Sequence, residues 1–295
     1  MKAVRLHSDN GIDGLSVDEI PVPVPGDGEV LVEVRAAAIT RDELTWTTDR
    51  LPAIPSFELS GVVAAVGTGV DGLAPGDEVY ALTPFDRDGV AAGYAVVPAS
   101  SLAPKPRSVG DVEAAAVPMA ALTAWQALFE HGGLREGQRV LITGAAGGVG
   151  HIGVQLARNA GAHVVAVASR ASLEAAGDLG ADEVVDHTAV RVADTVAPVD
   201  LVFDTAGGEL LAGSPPVLRP GGRIVTVAED PPAGVDATYF VVEPNRDQLV
   251  EIGALVDAGR VRPAVDSVFP LDDARSAFAR TLEGGKRGKV VIQVA

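Results

Sequence analysis

The chain has 295 residues, 47% of them hydrophobic, which is enough for two domains with buried cores. Its formal net charge of −17 argues against nucleic acids and anionic membranes as partners, because basic surfaces bind both. The chain contains no cysteine, which excludes disulfides, thiolate catalysis and cysteine-bound metals. Its first residues do not resemble a signal peptide, and no apolar run is long enough for a membrane span, so we expect a cytoplasmic protein.

The first 105 residues or so are predicted to be mostly β-structure with frequent turns. Residues 29–38 are the clearest strand, because apolar and polar side chains alternate there. Residues 58–67 and 93–97 also have strand character, whereas the polar stretch 40–48 is expected to be a loop or a short helix. Prolines and glycines separate these segments, which favours a small barrel-like domain.

From about residue 109 the pattern changes to helices that alternate with strands. Residues 111–127 are rich in alanine and are predicted to be helical. Strands are expected at 199–203 and 223–228, with a turn at 220–222 directly before the second of them. Such alternation indicates a parallel, doubly wound sheet with right-handed crossovers.

The most informative stretch is residues 139–153, RVLITGAAGGVGHIG. An apolar run is followed by a glycine-rich turn and then by helix-like spacing. Such a turn presents backbone N–H groups to a phosphate at the positive end of a helix, and glycine is needed because a Cβ would block the pyrophosphate. A second strand-like run at 163–168 favours dinucleotide binding over a tight packing turn in another α/β domain. The predicted contacts are Ala146, Gly147, Gly148 and Val149.

The end of the second strand of this unit favours NADPH over NADH. NAD-binding proteins usually place an acid there for the ribose 2′-OH, whereas this strand ends in Ala168, Ser169 and Arg170. The arginine is able to form a forked contact with a 2′-phosphate, although an ordinary surface arginine is the alternative. We therefore predict NADPH as the cofactor, with Ser169 and Arg170 at its 2′-phosphate.

A family resemblance rests on several stretches and on their order along the chain. These are residues 58–67, 76–79, 121–125, the glycine-rich turn and residues 288–291. Together they resemble the medium-chain dehydrogenase/reductase superfamily, in particular its zinc-independent quinone oxidoreductases, the zeta-crystallin-like branch. The resemblance spans nearly the whole chain. It implies an α/β fold with a GroES-like β-rich catalytic domain at 1–108, completed by 256–295, and a Rossmann domain with a doubly wound parallel sheet at 109–255.

The resemblance also implies that the chain binds no zinc. Zinc alcohol dehydrogenases of this superfamily have a cysteine, a histidine and a second cysteine where this sequence has Thr40, Phe57 and Met119. These three side chains are not a competent set of zinc ligands. Without zinc to polarise an alcohol or a carbonyl, the favoured acceptors are electron-poor, namely quinones and α,β-unsaturated carbonyls.

The resemblance identifies Thr40, Trp46 and Tyr80 as the catalytic candidates. Thr40 and Tyr80 offer hydroxyl protons. Thr123 and Tyr239 are further hydroxyl candidates, although Thr123 is favoured as a cofactor contact. Trp46 offers an apolar wall for a flat acceptor unless it is a partly buried core residue. No dedicated acid is evident. Further cofactor contacts implied by the resemblance are Thr123, His187, Thr205, Ala206, Val227, Ala228, Phe240, Val241 and Lys289.

The sequence thus predicts an NADPH-dependent oxidoreductase that transfers a hydride to a small-molecule quinone or α,β-unsaturated carbonyl. By analogy with many relatives, we expect it to be a homodimer. One alternative is an enoyl-thioester reductase of a fatty-acid or polyketide pathway. Another is a non-enzymatic NADPH-binding protein on the same scaffold, which the fold alone does not exclude.

Overall fold

The structure is a computed structural model that describes residues 1–46 and 48–295. The chain divides into two units, of which the first is continued by two later segments and the second by one. The first unit comprises Met1–Met119, Glu243–Ala258 and Pro263–Ala295. The second comprises Ala120–Val242 and Gly259–Arg262.

The secondary structure mixes strands and short helices throughout. The strands are β1 (Lys2–Leu6), β2 (Leu15–Glu19), β3 (Glu29–Ile39), β4 (Glu58–Val66), β5 (Glu78–Leu82), β6 (Tyr94–Pro98), β7 (Ala103–Pro104), β8 (Arg139–Thr143), β9 (His163–Ala168), β10 (Glu183–Asp186), β11 (Val199–Asp204), β12 (Leu218–Thr226), β13 (Ala237–Tyr239), β14 (Val265–Pro270) and β15 (Lys289–Gln293). The helices are α1 (Asp111–Ala115), α2 (Pro118–Trp125), α3 (Gly150–Asn159), α4 (Leu173–Asp178), α5 (Val192–Thr195), α6 (Gly208–Ala212), α7 (Arg246–Asp257) and α8 (Ala274–Leu282). In the described part of the chain, no helix combines the length and the apolar character needed to cross a bilayer.

The first unit contains a seven-stranded sheet in the order β14-β15-β3-β4-β5-β7, with β6 also on β3. The long strand β3 pairs with β6 through its first half and with β15 through its second half. Along β3, Val30, Val32 and Val34 are fully buried and alternate with partly exposed neighbours, which is why this stretch forms a strand with one face in the core. The β-rich character predicted for this part of the chain is confirmed.

The second unit contains a six-stranded sheet in the order β10-β9-β8-β11-β12-β13, and every pair of neighbours is parallel. The predicted doubly wound parallel sheet is therefore confirmed. The strand order reverses between β8 and β11, and in sheets of this kind ligands bind beyond the carboxyl ends of the strands at that point. A Cβ on Gly153 of α3 would lie 3.1 Å from the ring of Phe203 in β11, so the glycine lets the helix pack closely on the sheet.

Two local predictions differ from the structure. The turn predicted at 220–222 lies inside β12. The register against β11 shifts there, since Val199 pairs with Leu218 whereas Leu201 pairs with Arg223, so β12 has more residues than β11 between these two pairs. The extra residues form a bulge, and Gly221 with a φ of +81° allows it. The single helix predicted at 111–127 is broken into α1 and α2, because Pro118 has no N–H to continue α1 but is suited to begin a new helix.

Candidate functional site

The glycine-rich turn follows β8 at the carboxyl edge of the parallel sheet. Gly144 has a φ of +62°, in the left-handed region that glycine adopts without strain. A Cβ on Gly150 would lie only 2.2 Å from the carbonyl oxygen of Gly144, so the start of α3 passes directly over the start of the turn. The N–H of Gly147 donates to the same oxygen at 2.8 Å and closes the turn. Residues 147–149 are partly exposed at the N-terminal end of α3, where an anion is favoured.

Three buried polar residues, the last of their strands, join the carboxyl ends of β8, β11 and β12. The Asp204 carboxylate accepts hydrogen bonds from the hydroxyls of Thr143 at 2.6 Å and Thr226 at 2.9 Å. It also accepts one from the N–H of Gly207 at 3.0 Å. The N–H of Thr205 donates to the Thr143 hydroxyl, and the Thr205 hydroxyl donates to the Thr143 carbonyl at 2.7 Å. This network fixes the backbone that follows β11 beside the glycine-rich turn.

Four of the predicted cofactor residues adjoin this network. Thr205 and Ala206 directly follow β11, and Val227 and Ala228 directly follow β12. The N–H of Val227 donates to the carbonyl of Asp204 at 3.1 Å. The N–H of Ala228 donates to the hydroxyl at the end of β12 at 3.2 Å. The structure therefore brings these residues together with the glycine-rich turn at one edge of the sheet.

The predicted 2′-phosphate residues lie at the ends of β9 and β10. Ser169 and Arg170 follow β9, and the N–H of His187 donates to the carbonyl of Ala168 at 3.2 Å. The Arg170 side chain is 80% exposed, and its Nε donates to the carboxylate of Asp186 at 3.2 Å. Asp186, the last residue of β10, was not among the residues predicted from the sequence. An anion that binds Arg170 has to compete with this carboxylate.

The remaining predicted cofactor residues of this unit are Phe240, Val241 and Thr123. Phe240 follows β13, and its ring lies 4.3 Å from that of His131, centroid to centroid. Val241 is 60% exposed. Thr123 has a buried side chain within α2. Phe240 and Val241 thus follow the strand at the β13 edge of the sheet, whereas Thr123 belongs to a helix.

In the first unit, Thr40 and Lys289 meet where β3 and β15 pair. Ile39 of β3 pairs with Val290 of β15, so the residue after β3 lies beside the first residue of β15. The Lys289 ammonium donates to the Thr40 hydroxyl oxygen at 2.8 Å. The Thr40 hydroxyl in turn donates to the sulfur of Met119 at 3.0 Å. Lys289 was predicted to contact the cofactor. In the structure its ammonium contacts the Thr40 hydroxyl of the same unit.

The buried carboxylate of Glu58 completes the surroundings of Lys289. Glu58 is the first residue of β4 and pairs with Ala38 of β3, which places it at the same end of that strand. Its Oε1 lies 2.6 Å from the Lys289 ammonium and accepts no directed hydrogen bond from the described residues. Its Oε2 accepts the N–H of Met119 at 2.9 Å. Glu58 is fully buried and Lys289 is 6% exposed, so each charge depends on the other for compensation.

A second buried acid, Glu43, lies next to this pair. One carboxyl oxygen accepts the N–H of Thr40 at 3.0 Å, and the other accepts the N–H of Ser56 at 3.2 Å. Burial raises the pKa of Glu43 to about 8, against the opposing effects of the Thr40 N–H and the Lys289 charge. Glu43 was not predicted from the sequence as a site residue. In the sequence, Glu43 is an acid three residues after Thr40 in an otherwise irregular stretch. This pattern does not indicate that its side chain is buried.

Trp46 belongs to an aromatic cluster. Its ring centroid lies 5.6 Å from that of Phe85 and 6.2 Å from that of Phe57, and those two rings are 5.1 Å apart. Trp46 is 40% exposed, whereas Phe57 is fully buried. The side chain therefore packs against the core on one side, as a partly buried core residue would. The other side is open to solvent, as an apolar wall for a flat acceptor would be.

Tyr80 has a structural contact. Its side chain is fully buried, and its hydroxyl donates to the carbonyl of Leu249 in α7 at 2.5 Å. Burial also raises the pKa of Tyr80, which makes the phenol a weaker acid. Because this proton is already donated to the backbone of α7, Tyr80 is not suited to protonate an acceptor.

The positions compared with zinc ligands in the sequence analysis contain side chains that contact one another or the core. Thr40 and Met119 are in contact, and Phe57 is part of the aromatic cluster. Apart from Thr47, which lies outside the described residues, no group of three or more His, Asp or Glu side chains is arranged to hold a metal ion.

Comparison with known proteins agrees with this architecture. Residues 26–107 match the family model described as alcohol dehydrogenase GroES-like domain, and residues 179–292 match the one described as zinc-binding dehydrogenase. The chloroplast envelope quinone oxidoreductase homolog of Arabidopsis thaliana is 31% identical over 325 residues, which cover 99% of this chain and 98% of that protein. The chloroplastic NADPH-dependent alkenal/one oxidoreductase of the same plant is 33% identical, covering 99% of this chain and 79% of that protein.

Similarity extends to solved structures over the full length of the chain. A crystal structure of an NAD-dependent alcohol dehydrogenase has 31% sequence identity and a TM-score of 0.92, and the match covers 100% of both chains. This agreement includes both the GroES-like part and the parallel-sheet part, as the sequence analysis predicted. The chain therefore belongs to the medium-chain dehydrogenase/reductase superfamily, with quinone oxidoreductases among its relatives.

Proposed function

We propose that this protein is an NADPH-dependent oxidoreductase that transfers a hydride to a quinone or an α,β-unsaturated carbonyl compound. The oxidoreductase role is supported by the superfamily and by relatives whose names state quinone or alkenal/one oxidoreductase activity. The observation that carries the proposal is the glycine-rich turn. Gly144 and Gly150 bring the backbone too close for any side chain, at the point where ligands bind in sheets of this order.

The residues at this edge of the sheet fit a dinucleotide. A pyrophosphate needs backbone donors that side chains do not obstruct. Gly148, directly before α3, is partly exposed and has no side chain, whereas the N–H of Gly147 already donates to the carbonyl of Gly144. When bound, a reduced nicotinamide supplies the hydride, and the protein holds and orients it. The residues proposed to hold it are Thr123, Ala146, Gly147, Gly148, Val149, Ser169, Arg170, His187, Thr205, Ala206, Val227, Ala228, Phe240 and Val241. Lys289 is left out because its ammonium is engaged by Thr40 and Glu58.

The preference for NADPH rests on the tip of β9. Ser169 and Arg170 leave this position without a carboxylate, and an exposed guanidinium is suited to a phosphate. The names of relatives point both ways, since one states NADPH dependence and another states NAD dependence. Asp186 weakens the preference for NADPH that Arg170 provides, because a 2′-phosphate has to compete with the Asp186 carboxylate for the guanidinium.

The preference for a flat, electron-poor acceptor rests on the first unit. Trp46 presents a partly exposed ring backed by Phe57 and Phe85, which is suited to stacking against a planar molecule. Thr40 offers a partly exposed hydroxyl. We therefore assign catalytic roles to Thr40 and Trp46.

The alternative functions predict different measurements. An enoyl-thioester reductase would oxidise NADPH with an enoyl-CoA and not with small quinones or enones. A non-enzymatic NADPH-binding protein would bind NADPH tightly and turn over none of these compounds. Steady-state NADPH oxidation with the three classes of acceptor therefore separates the proposals.

The test of cofactor preference is a titration of the purified protein with NADPH and NADH, read by nicotinamide fluorescence. We expect tight NADPH binding and weak NADH binding. The Ser169→Asp, Arg170→Ala double variant should bind NADPH about 10- to 100-fold more weakly, because hydrogen bonds to charged groups contribute about 1.5–3 kcal/mol. It should bind NADH more tightly, because the new acid can accept a hydrogen bond from the ribose 2′-OH.

Arg191→Ala is the matched control for this titration. Arg191 is also 80% exposed and also pairs with an acid, Asp194, so its loss matches the loss of the Arg170 charge from the same unit. Its NADPH affinity should remain within about twofold of the original value, since distant surface substitutions usually have small effects. Unchanged NADPH affinity in the double variant would refute the role of Arg170, and absence of binding to either nucleotide would refute the dinucleotide site.

A further inference from the structure

The contact between Lys289 and Thr40 joins a buried cation to a partly exposed hydroxyl. We propose that the Thr40 hydroxyl donates a proton to the reduced acceptor and that the Lys289 ammonium replaces that proton. Thr40 is then a catalytic residue, and Lys289 acts through it as its proton source. This inference rests on the proposed function, because it requires an acceptor that has received a hydride.

The direction of proton movement follows from the hydrogen bonds. A lysine ammonium has donors and no acceptor, so in the 2.8 Å contact it can only donate to the Thr40 oxygen. The Thr40 hydroxyl donates to the sulfur of Met119, and a thioether is a weak acceptor. Little free energy is therefore needed to turn this hydroxyl from the sulfur to the anionic oxygen of the reduced acceptor. The contact with Lys289 is kept as the hydroxyl turns.

Glu58 holds the ammonium in the position that this transfer needs. Its Oε1 lies 2.6 Å from the Lys289 nitrogen, and its Oε2 is tied to the backbone N–H of Met119. Glu58 is fully buried and Lys289 nearly so, so neither charge is compensated by water. The carboxylate thus holds the Lys289 ammonium beside the Thr40 oxygen between turnovers.

The step balances without a further oxidant or reductant. A hydride adds two electrons and one proton to the acceptor, which becomes an enolate from an enone or a hydroquinone anion from a quinone. The O–H bond of Thr40 breaks as a new O–H bond forms on the anionic oxygen of the acceptor, which gives a hydroquinone or an enol that tautomerises to the ketone. An N–H bond of Lys289 breaks as the O–H bond of Thr40 reforms. The neutral amine of Lys289 then regains a proton from water.

The first test replaces Thr40 and compares two acceptors. Thr40→Val keeps the shape of the side chain and removes the hydroxyl. With cyclohexenone, kcat should fall about 100-fold or more, in the range of general acid catalysis. With benzoquinone it should fall by a clearly smaller factor, because a hydroquinone anion is a weaker base than an enolate and needs less help. Thr40→Ser retains the hydroxyl and should restore most of the cyclohexenone activity.

The second test replaces Lys289 by arginine, which keeps the positive charge beside Glu58 but does not release a proton near neutral pH. Lys289→Arg should fold, bind NADPH with nearly the original Kd, and lose cyclohexenone turnover to about the same extent as Thr40→Val. The double variant should be no slower than either single variant, because both changes interrupt the same transfer.

Other outcomes overturn the inference without affecting the proposed function. Equal losses of kcat with both acceptors in Thr40→Val would indicate a packing defect and not a lost proton. Full cyclohexenone activity in Lys289→Arg, or losses that multiply in the double variant, would refute Lys289 as the proton source. By contrast, failure of the unsubstituted protein to bind NADPH or to reduce either acceptor would refute the proposed function itself, before any variant is compared.

Discussion

At the scale of single residues, the buried acid Glu43 makes the stability of the protein depend on pH. The folded pKa of about 8 lies above the unfolded value of 4.5, so between these values the folded chain retains a proton that the unfolded chain has lost. The free energy of unfolding is therefore highest below the unfolded pKa. It decreases as the pH rises towards 8, by about 1.4 kcal/mol per pH unit.

Glu43→Gln should remove this dependence. Urea unfolding of the variant between about pH 5 and pH 8 should show a free energy of unfolding that decreases less steeply with pH than that of the original protein. The variant will also be less stable at the lower pH, because the amide NH2 cannot accept one of the two backbone hydrogen bonds that the carboxyl oxygens accept. The difference in slope, and not the absolute stability, is the quantity to compare.

Glu251→Gln is the control, since Glu251 lies exposed on α7 and the substitution makes the same change in charge. Its slope should equal that of the original protein. If Glu43→Gln also retains the original slope, Glu43 is ionised in the folded protein between about pH 5 and pH 8. The prediction that its pKa is raised would then be wrong.

At the scale of elements, the connection from β8 through the turn to α3 depends on the absence of a side chain at Gly150. A Cβ on Gly150 would meet the carbonyl oxygen of Gly144 at 2.2 Å and two further backbone atoms within 3 Å, and none of these is a flexible side-chain end. Gly150→Ala should therefore displace the turn, destabilise the protein by about 1–3 kcal/mol and abolish NADPH binding. Chemical denaturation and the fluorescence titration measure the two effects.

Gly177→Ala in α4 is the matched control for this prediction. The nearest atom to a Cβ there is a side-chain carbon of Val184 at 3.8 Å, an ordinary contact, and the position lies within a helix. The substitution should leave NADPH binding intact and stabilise the protein by up to about 1 kcal/mol. Equal effects of the two substitutions would show that the close approach at Gly150 does not control the turn.

At the scale of the whole molecule, binding of NADPH should stabilise the chain through the unit that contains the parallel sheet. A ligand that binds only the folded state at one hundred times its Kd contributes about 2.7 kcal/mol. Thermal melts with NADPH should therefore show a higher melting temperature than melts with NADH at the same concentration. The Ser169→Asp, Arg170→Ala variant should lose most of this difference, and no shift with either nucleotide would contradict the dinucleotide site.

Several features of the fold and site were predictable from the sequence because they depend on local chemistry. Alternating side chains mark β3, a run of buried apolar residues marks β9, and both strands occur close to the predicted positions. The glycine-rich turn was predictable because the close approach of Gly144 and Gly150 takes place within a few residues. The bulge in β12 was not predictable, because proline and glycine also mark a turn and only the register against β11 separates the two.

The sequence by itself determined the alternation of elements, the turn that fits a pyrophosphate and the absence of a carboxylate after β9. Only the tertiary structure decided which distant side chains share a site. Lys289 and Thr40 are 249 positions apart, and they meet because β15 pairs with the end of β3 in one register. Asp204 joins Thr143 to Thr226 because three strands that are separate in sequence lie side by side. Strand pairing is a long-range interaction, and the residues involved carry no local sign of their partners.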